Sequence, residues 1–138
     1  MENNQNLEQQ LSQYRYIKEQ KDMFQGQFEI INASLGNLYT TKLTLDNLKE
    51  GVSADDEILV PIGGLVSLKA TLKDTNKVLV YVKNDTIIEK TVEEAIEFIT
   101  KLIDQHKTQL KFLQERIFNL DLSLQSMSQT LQNRMTQQ

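Results

Sequence analysis

A chain of 138 residues with 39% hydrophobic and 25% charged side chains has the composition of one folded domain. The absence of cysteine excludes disulfide bonds, thiolate catalysis and cysteine-ligated metals. A net charge of -4 argues against a nucleic-acid surface, because phosphate binding requires clustered Lys and Arg.

The first third of the chain, residues 1–50, predicts a long coiled-coil helix. Its apolar residues follow two heptad registers, the second shifted by three residues, which is a stammer that overwinds a supercoil. The first register contains Leu7, Leu11 and Tyr14. The second contains Phe24, Phe28, Ile31, Leu35, Leu38 and Leu45. Lys21 and Lys42 fall on seam positions of the second register, and Gly51 is predicted to end the helix in the left-handed conformation.

Residues 51–91 predict an insert of two β-hairpins. The four strands are expected near residues 57–62, 65–72, 78–83 and 86–90. The run Val78-Leu79-Val80-Tyr81-Val82 has no polar face, which is typical of a strand that is covered on both sides. A sheet of about forty residues cannot bury its faces and edges alone, so the insert is predicted to be an assembly module. The residues assigned to this platform are Ile58, Val60, Pro61, Gly63, Gly64, Leu68, Val78, Val80 and Val82.

The last third, residues 92–138, predicts a second coiled-coil helix that begins at a capping box formed by Thr91 and Glu94. Its seam is unbroken over more than five heptads. One set of seam positions is Ile96, Ile103, Leu110, Ile117, Leu124 and Leu131; the other is Ile99, His106, Leu113, Leu120, Met127 and Arg134. Helices of similar length around a compact insert predict an antiparallel hairpin in which Leu48 faces Val92 and Leu7 faces Leu131.

The helix ends farthest from the insert are candidates for binding other polypeptides. Residues 1–16 and 123–138 carry few charges, and their apolar side chains could hold apolar segments of many sequences, with Met providing adaptability. These tip residues are Leu7, Leu11, Tyr14, Met127, Leu131 and Met135. The alternative is that the same side chains only close the last turns of the two helices against each other.

A second candidate set lies off the seam of the C-terminal helix. Phe112, Phe118 and Leu122 would be largely exposed in a two-helix coiled coil. They are predicted either to contact a bound polypeptide along the inner arm or to pack against the platform or a neighbouring arm. For Phe98, which is close to the insert, packing is the preferred interpretation.

Two stretches, one in the insert and one at the start of the second helix, resemble the alpha-type subunit of archaeal prefoldin. The similarity covers essentially the whole chain. The two stretches are Ile58-Leu59-Val60-Pro61-Ile62-Gly63 and Val92-Glu93-Glu94-Ala95-Ile96-Glu97-Phe98. The resemblance implies a single α+β domain over residues 1–138, whose strands assemble into an oligomeric β-barrel platform carrying coiled-coil arms. It also implies an ATP-independent holdase that binds nonnative polypeptides and delivers them to a group II chaperonin.

The resemblance implies assembly with beta-type subunits, in a hexamer of two alpha and four beta. Residues 65–70 and 83–86 depart from the alpha pattern, so a gamma-type prefoldin that forms homomeric filaments stays open as an alternative. A passive coiled-coil spacer is a further alternative.

Catalytic chemistry finds little support in the residues. His106 occupies a seam position, where a polar residue sets register, and Gly63-Gly64 lacks the Lys of a phosphate-binding loop. We therefore expect no enzyme activity, no cofactor and no metal site. The polar start MENNQNLEQQ is unlike a signal peptide, and no apolar run approaches the ~18 residues of a membrane span, so we expect a cytoplasmic protein with no membrane partner.

Overall fold

The computed structural model describes residues 2–137 and contains two long helices with four short strands between them in the chain. Helix α1 spans Glu2–Gly51 and helix α2 spans Val92–Thr136. The strands are β1 (Glu57–Pro61), β2 (Ser67–Thr71), β3 (Lys77–Lys83) and β4 (Thr86–Thr91). The predicted α+β fold of two helices around a two-hairpin insert is confirmed. Met1 and Gln138, the ends of the predicted domain, lie outside the described residues.

The chain divides into two compact units. The terminal unit contains α1 up to Leu35 together with α2 from Gln105 onward, and the central unit contains the chain from Gly36 to Asp104. In the terminal unit the two helices pair antiparallel: residues later in α1 contact residues earlier in α2. Pairs that cross the seam include Gln10 with Arg134, Lys21 with Asp121, and Ser34 with His106.

The seam of the terminal unit buries apolar side chains at the predicted heptad positions. Its buried residues are Leu35, Leu113, Leu124 and Leu131. His106 lies on the seam, half-buried, with Nε2 3.1 Å from Oγ of Ser34. This hydrogen bond between the helices fits the predicted role of His106 in setting the register.

The stammer in α1 is also present in the structure. The seam positions Leu11, Tyr14, Ile17, Lys21 and Phe24 are all half-buried, and the first three are separated by two successive steps of three residues. Two short steps rotate the buried stripe around the helix, a rotation that local overwinding of a supercoil compensates. Lys21 therefore stays on the seam, as predicted, and donates a hydrogen bond from Nζ to Oδ1 of Asp121 at 2.9 Å.

The structure places Leu7 beside Met135, about one turn beyond the predicted partner Leu131. Both helices rise by the same distance per residue, so the contact between Lys21 and Asp121 sets the register toward the chain ends. Leu7 lies fourteen residues before Lys21, and Met135 lies fourteen after Asp121. Arg134, assigned to the last seam position, is exposed.

In the central unit, each hairpin is a separate antiparallel sheet of two strands. Strand β1 pairs with β2, with Val60 opposite Leu68, and β3 pairs with β4, with Val80 opposite Ile88. The β3–β4 turn places Asp85 at a φ of 67°, the left-handed value that a tight hairpin turn demands.

The second hairpin continues directly into α2. Thr91 is the last residue of β4, and its Oγ1 accepts a hydrogen bond from the backbone N–H of Glu94 at 3.1 Å, which is the Thr91 half of the predicted capping box. The N–H of Val92 donates to the carbonyl of Asn76 at 2.8 Å. Leu48 and Val92 line one depression, as the predicted pairing requires. The buried residues of this unit are Leu45, Val92, Ala95, Ile99 and Ile103.

Two local predictions for the insert are wrong. Gly51 is the last residue of α1 but has no positive φ; among the described residues the left-handed position that follows the helix is Asp55, with a φ of 72°. Strand β2 begins at Ser67, two residues later than predicted, because the N–H of Ile62 donates to the carbonyl of Val66 and closes a turn.

Gly36 lies inside α1, and a Cβ added there would meet nothing within 4 Å. Replacing Gly36 by Ala is expected to raise the free energy of unfolding by about 1 kcal/mol, because glycine retains more backbone entropy in the unfolded chain. Urea denaturation at constant protein concentration measures the change. Gly26 is equally unobstructed, so Gly26→Ala should give a similar gain, and a loss at both positions would contradict a regular α1.

Candidate interaction surfaces

The six predicted tip residues differ in how far they are open to solvent. Leu131 is only 8% exposed and packs in the seam. It therefore fits the alternative in which the tip side chains close the last turns of the two helices against each other. Met135 is 62% exposed. The other four, Leu7, Leu11, Tyr14 and Met127, are half-buried. The tip therefore combines one side chain that closes the helices with several that retain accessible apolar surface.

Two shallow depressions lie among these residues. One, of about 220 Å³, contains no charged side chain and is lined by Gln10, Gln13, Ser126, Met127, Thr130 and Leu131. The other, of about 270 Å³, is lined by Asn3, Leu7, Arg134, Met135 and Gln137. The charge of Arg134 is directed to Oε1 of Gln10, to which Nη1 donates at 3.1 Å. The uncharged depression suits an apolar segment that needs no specific hydrogen-bond partner, whereas in the second the apolar surface of Leu7 and Met135 lies among polar side chains.

Phe112, Phe118 and Leu122 are exposed on α2, at 55%, 62% and 50% respectively. Phe118 and Leu122 are one turn apart and form a small apolar patch. Phe112 differs from them because the Cζ atom of Arg116 lies 5.6 Å from its ring centroid. The same Cζ atom lies 6.0 Å from the ring of Phe24 on α1, so Arg116 is within cation–π distance of two aromatic rings.

Phe98 is half-buried in the central unit. The Nζ atom of Lys90, on β4, lies 5.8 Å from its ring centroid. Phe98 therefore packs beside the second hairpin, in keeping with the interpretation preferred for it from the sequence.

Three exposed apolar residues of α1 were missed by the sequence interpretation. Tyr16, Met23 and Ile30 are 62%, 47% and 71% exposed. They are spaced seven residues apart, so they share one face of the helix. The seven-residue spacing could have identified this stripe from the sequence. Each of the three residues is followed directly by an apolar seam residue, however, so the pattern reads as a single apolar stripe.

The Lys21–Asp121 pair lies in a broader depression of about 510 Å³, which is also lined by Lys18 and Asp22. The hydrogen bond with Asp121 raises the pKa of Lys21 above its ordinary value of 10.5, so this lysine is charged at neutral pH. A charged lysine cannot act as a base, and residues 2–137 contain no group of three His, Cys, Asp or Glu side chains that could bind a metal. The charged feature of this depression is the structural ion pair between Lys21 and Asp121.

Each hairpin has one predominantly apolar face and one mixed face. In the first hairpin, Ile58 and Val60 share a face with Leu68 and Ala70. In the second, Val78 and Val80 share a face with Ile88 and with Lys90, whose Nζ atom lies near the ring of Phe98 at the α2 end of the hairpin. The mixed faces carry the ion pairs Glu57–Lys69 and Lys77–Glu89, at 3.9 and 3.7 Å. Strand β3 is apolar on both sides as predicted, but Glu89 of its partner strand makes one face of the hairpin polar.

The residues assigned to the platform remain accessible within the single chain. Val60, Leu68 and Val82 are 40%, 55% and 39% exposed, and Ile58, Val78 and Val80 are half-buried. Pro61 ends β1, where its missing N–H costs no ladder hydrogen bond, and Gly63 and Gly64 lie in the turn that follows. A two-stranded hairpin with an open apolar face is marginal in water, so these faces are suited to being covered.

The family model described as "Prefoldin subunit" matches residues 17–137. The chain belongs to the prefoldin family. It is 30% identical over 120 residues to prefoldin subunit alpha of Pyrococcus horikoshii, covering 87% of this chain and 81% of that one. It is 33% identical over 101 residues to prefoldin subunit alpha of Methanobrevibacter smithii, covering 73% and 68%. The resemblance drawn from the two sequence stretches is thereby confirmed.

Solved prefoldin structures share the fold. A filamentous PFD from Methanocaldococcus jannaschii, solved by cryo-EM, superposes with a TM-score of 0.70 at 23% identity, covering 83% of this chain and 93% of that one. The prefoldin beta subunit from Thermococcus strain KS-1 superposes with a TM-score of 0.61 at 14% identity, covering 94% and 91%. Among residues 2–137, neither prefoldin helix is long and apolar enough to cross a bilayer.

Proposed function

We propose that this prefoldin is an ATP-independent holdase that binds nonnative polypeptides in the cytoplasm and delivers them to a group II chaperonin. The observation that carries the proposal is apolar surface that stays open at the tip: Met127 lines a depression without charge, and Met135, 62% exposed, lies beside Leu7 in a second depression whose other side chains are polar. Such a surface binds many sequences weakly, because it offers apolar contact without a pattern of specific hydrogen bonds. Weak and broad binding is what a holdase needs.

We propose further that the hairpins join several chains into a platform that carries the helices. The support is the apolar face of each hairpin, with Leu68 in the first and Ile88 in the second more than two-fifths exposed. Beta-type subunits are the first candidate partners, since the relatives of this chain are prefoldin alpha subunits. Copies of the same chain in a filament are the alternative, and native mass spectrometry with and without a beta-type subunit separates the two.

A tip variant tests the holdase proposal. Replacing Leu7 and Met135 together by Gln is expected to reduce the suppression of client aggregation at least about threefold. It removes apolar contact area worth roughly 1 kcal/mol or more from a client-binding surface. Light scattering of a chemically denatured enzyme diluted into buffer, across a range of chaperone concentrations, measures the effect.

Leu43→Gln is the matched control, because Leu43 is also apolar, is 62% exposed and lies in the central unit. It should protect as well as the unchanged protein. Equal protection by the tip variant would reject gripping by these tip residues, and no protection by the unchanged protein would favour a passive spacer.

A further inference from the structure

The two long sides of the terminal unit differ in charge. In heptad notation, the a positions include Phe28 of α1 and Leu110 of α2, and the d positions include Ile31 of α1 and Leu113 of α2. Because the helices are antiparallel, the g positions of both flank one side of the seam and the e positions flank the other. We call the side formed by the c and g positions the neutral side, and the side formed by the b and e positions the charged side.

Contacts across the seam identify both sides. On the neutral side, Ser34 at g is hydrogen-bonded to His106, and Arg116 at g reaches the ring of Phe24. On the charged side, Asp121 at e pairs with Lys21. The heptad assignment thus agrees with the contacts at three levels of the terminal unit.

The neutral side carries a single charge within residues 14–35 and 105–126, and that charge is Arg116. Apart from the seam residue Lys21, every other Lys, Arg, Asp and Glu of these ranges falls at b, e or f. The remaining c and g positions hold Gln, Asn and Ser together with exposed apolar residues. The exposed apolar residues of the neutral side are Tyr16, Met23, Ile30 and Phe112.

Arg116 is oriented by its neighbours but has no ion pair among the described residues. Its Cζ atom lies 6.0 Å from the ring of Phe24 and 5.6 Å from the ring of Phe112. A guanidinium held over aromatic faces loses little further freedom on binding, and its planar N–H groups match a carboxylate. The neutral side therefore offers an apolar stripe with one prepared site for an anionic side chain.

We propose that the neutral side binds an extended apolar segment of a nonnative polypeptide that carries an Asp or Glu, whose carboxylate pairs with Arg116. This inference rests on the holdase function proposed above and adds a preference in client sequence. A second copy of this chain fits less well, because the neutral side has no Asp or Glu within residues 14–35 and 105–126 that could pair with Arg116.

The uncharged tip depression lies on the same side, since Ser126 occupies a c position and Thr130 a g position. Arg116 and Leu131 are fifteen residues apart on α2, which corresponds to roughly 22 Å of helix. About seven residues of extended chain cover that distance. One client segment of this length would reach from Arg116 to the tip.

Fluorescence anisotropy with two labelled peptides of about twelve residues tests the proposal on the full-length protein. Both peptides consist of Leu, Phe and Ser, with a central Asp in one and a central Lys in the other. At low ionic strength the Asp peptide is expected to bind about three- to fivefold more tightly, and the difference should shrink with added salt. Arg116→Glu should reverse the preference, whereas Lys111→Glu, an equal charge change on the charged side, should retain it.

Other results would overturn the proposal. Equal affinity of the unchanged protein for both peptides, or an unchanged preference in Arg116→Glu, would reject the role of Arg116. If Ile30→Gln changed the oligomeric state in sedimentation and left peptide affinity intact, a second copy would be the occupant instead. If the protein suppressed client aggregation but showed no preference between the peptides, the holdase proposal would stand and the role of Arg116 would be rejected. If it bound neither peptides nor clients, both the holdase function and the role of Arg116 would be rejected.

Discussion

Replacing Leu68 by Glu is expected to raise the dissociation constant of the assembled protein by about 100-fold or more. Leu68 lies on the apolar face of the first hairpin, directly opposite Val60, and is 55% exposed in the single chain. If that face is covered in an assembly, as proposed, an unpaired carboxylate there loses its hydration, at a cost of several kcal/mol. Sedimentation velocity over a range of concentrations measures the change, and circular dichroism should show an unchanged helix content.

Leu59→Glu is the matched control for that experiment. Leu59 lies on the neighbouring strand but on the mixed face, opposite Lys69, and is 66% exposed. The same new carboxylate there has a cationic neighbour and solvent, so assembly should weaken far less. If both variants dissociated equally, the apolar face would not be the contact surface, and a monomeric unchanged protein would reject the platform.

Replacing Leu113 by Ala is expected to lower the free energy of unfolding by about 2–4 kcal/mol. Leu113 is only 3% exposed, and shortening a buried Leu removes its packing and leaves a cavity. A two-helix seam is thin, so few neighbours can collapse into the space. Urea denaturation followed by circular dichroism, at one protomer concentration for all variants, gives the difference.

Phe118→Ala provides the comparison for Leu113→Ala. It removes a larger side chain from a nearby position on α2, but Phe118 is 62% exposed, so the loss of stability should be about 0.5 kcal/mol or less. A cost as large as that of Leu113→Ala would mean that Phe118 is covered in the assembled protein. That outcome would favour packing of Phe118 against a neighbouring arm over contact with clients.

The elements of this fold were predictable because they depend on local periodicity. The heptads of α2 run without a break, and every seam position except Arg134 is buried or half-buried. The stammer in α1 was also readable, because steps of three and four residues between apolar side chains are a property of one helix. Strand boundaries were less predictable: Leu65 and Val66 look like strand residues, yet the turn closed by Ile62 places them outside β2.

The candidate binding surface was predictable only in part. The low charge of the tip residues is visible in the sequence, but the separation of buried Leu131 from exposed Met135 required the register between the helices. The stripe of Tyr16, Met23 and Ile30 was present as a seven-residue spacing. Its significance depends on which α2 residues share that side, and the sequence of α1 contains no information on that point.

The sequence by itself determined two coiled-coil helices, a two-hairpin insert and membership of the prefoldin family, because each depends on spacing or similarity along the chain. Only the tertiary structure decided which residues meet across the seam. Arg116 contacts Phe24, a residue far away in sequence, because Lys21 with Asp121 and Ser34 with His106 hold the antiparallel helices in one register. Periodicity shows which face of a helix is buried, but the direction and register of the partner determine what lies beside each exposed residue.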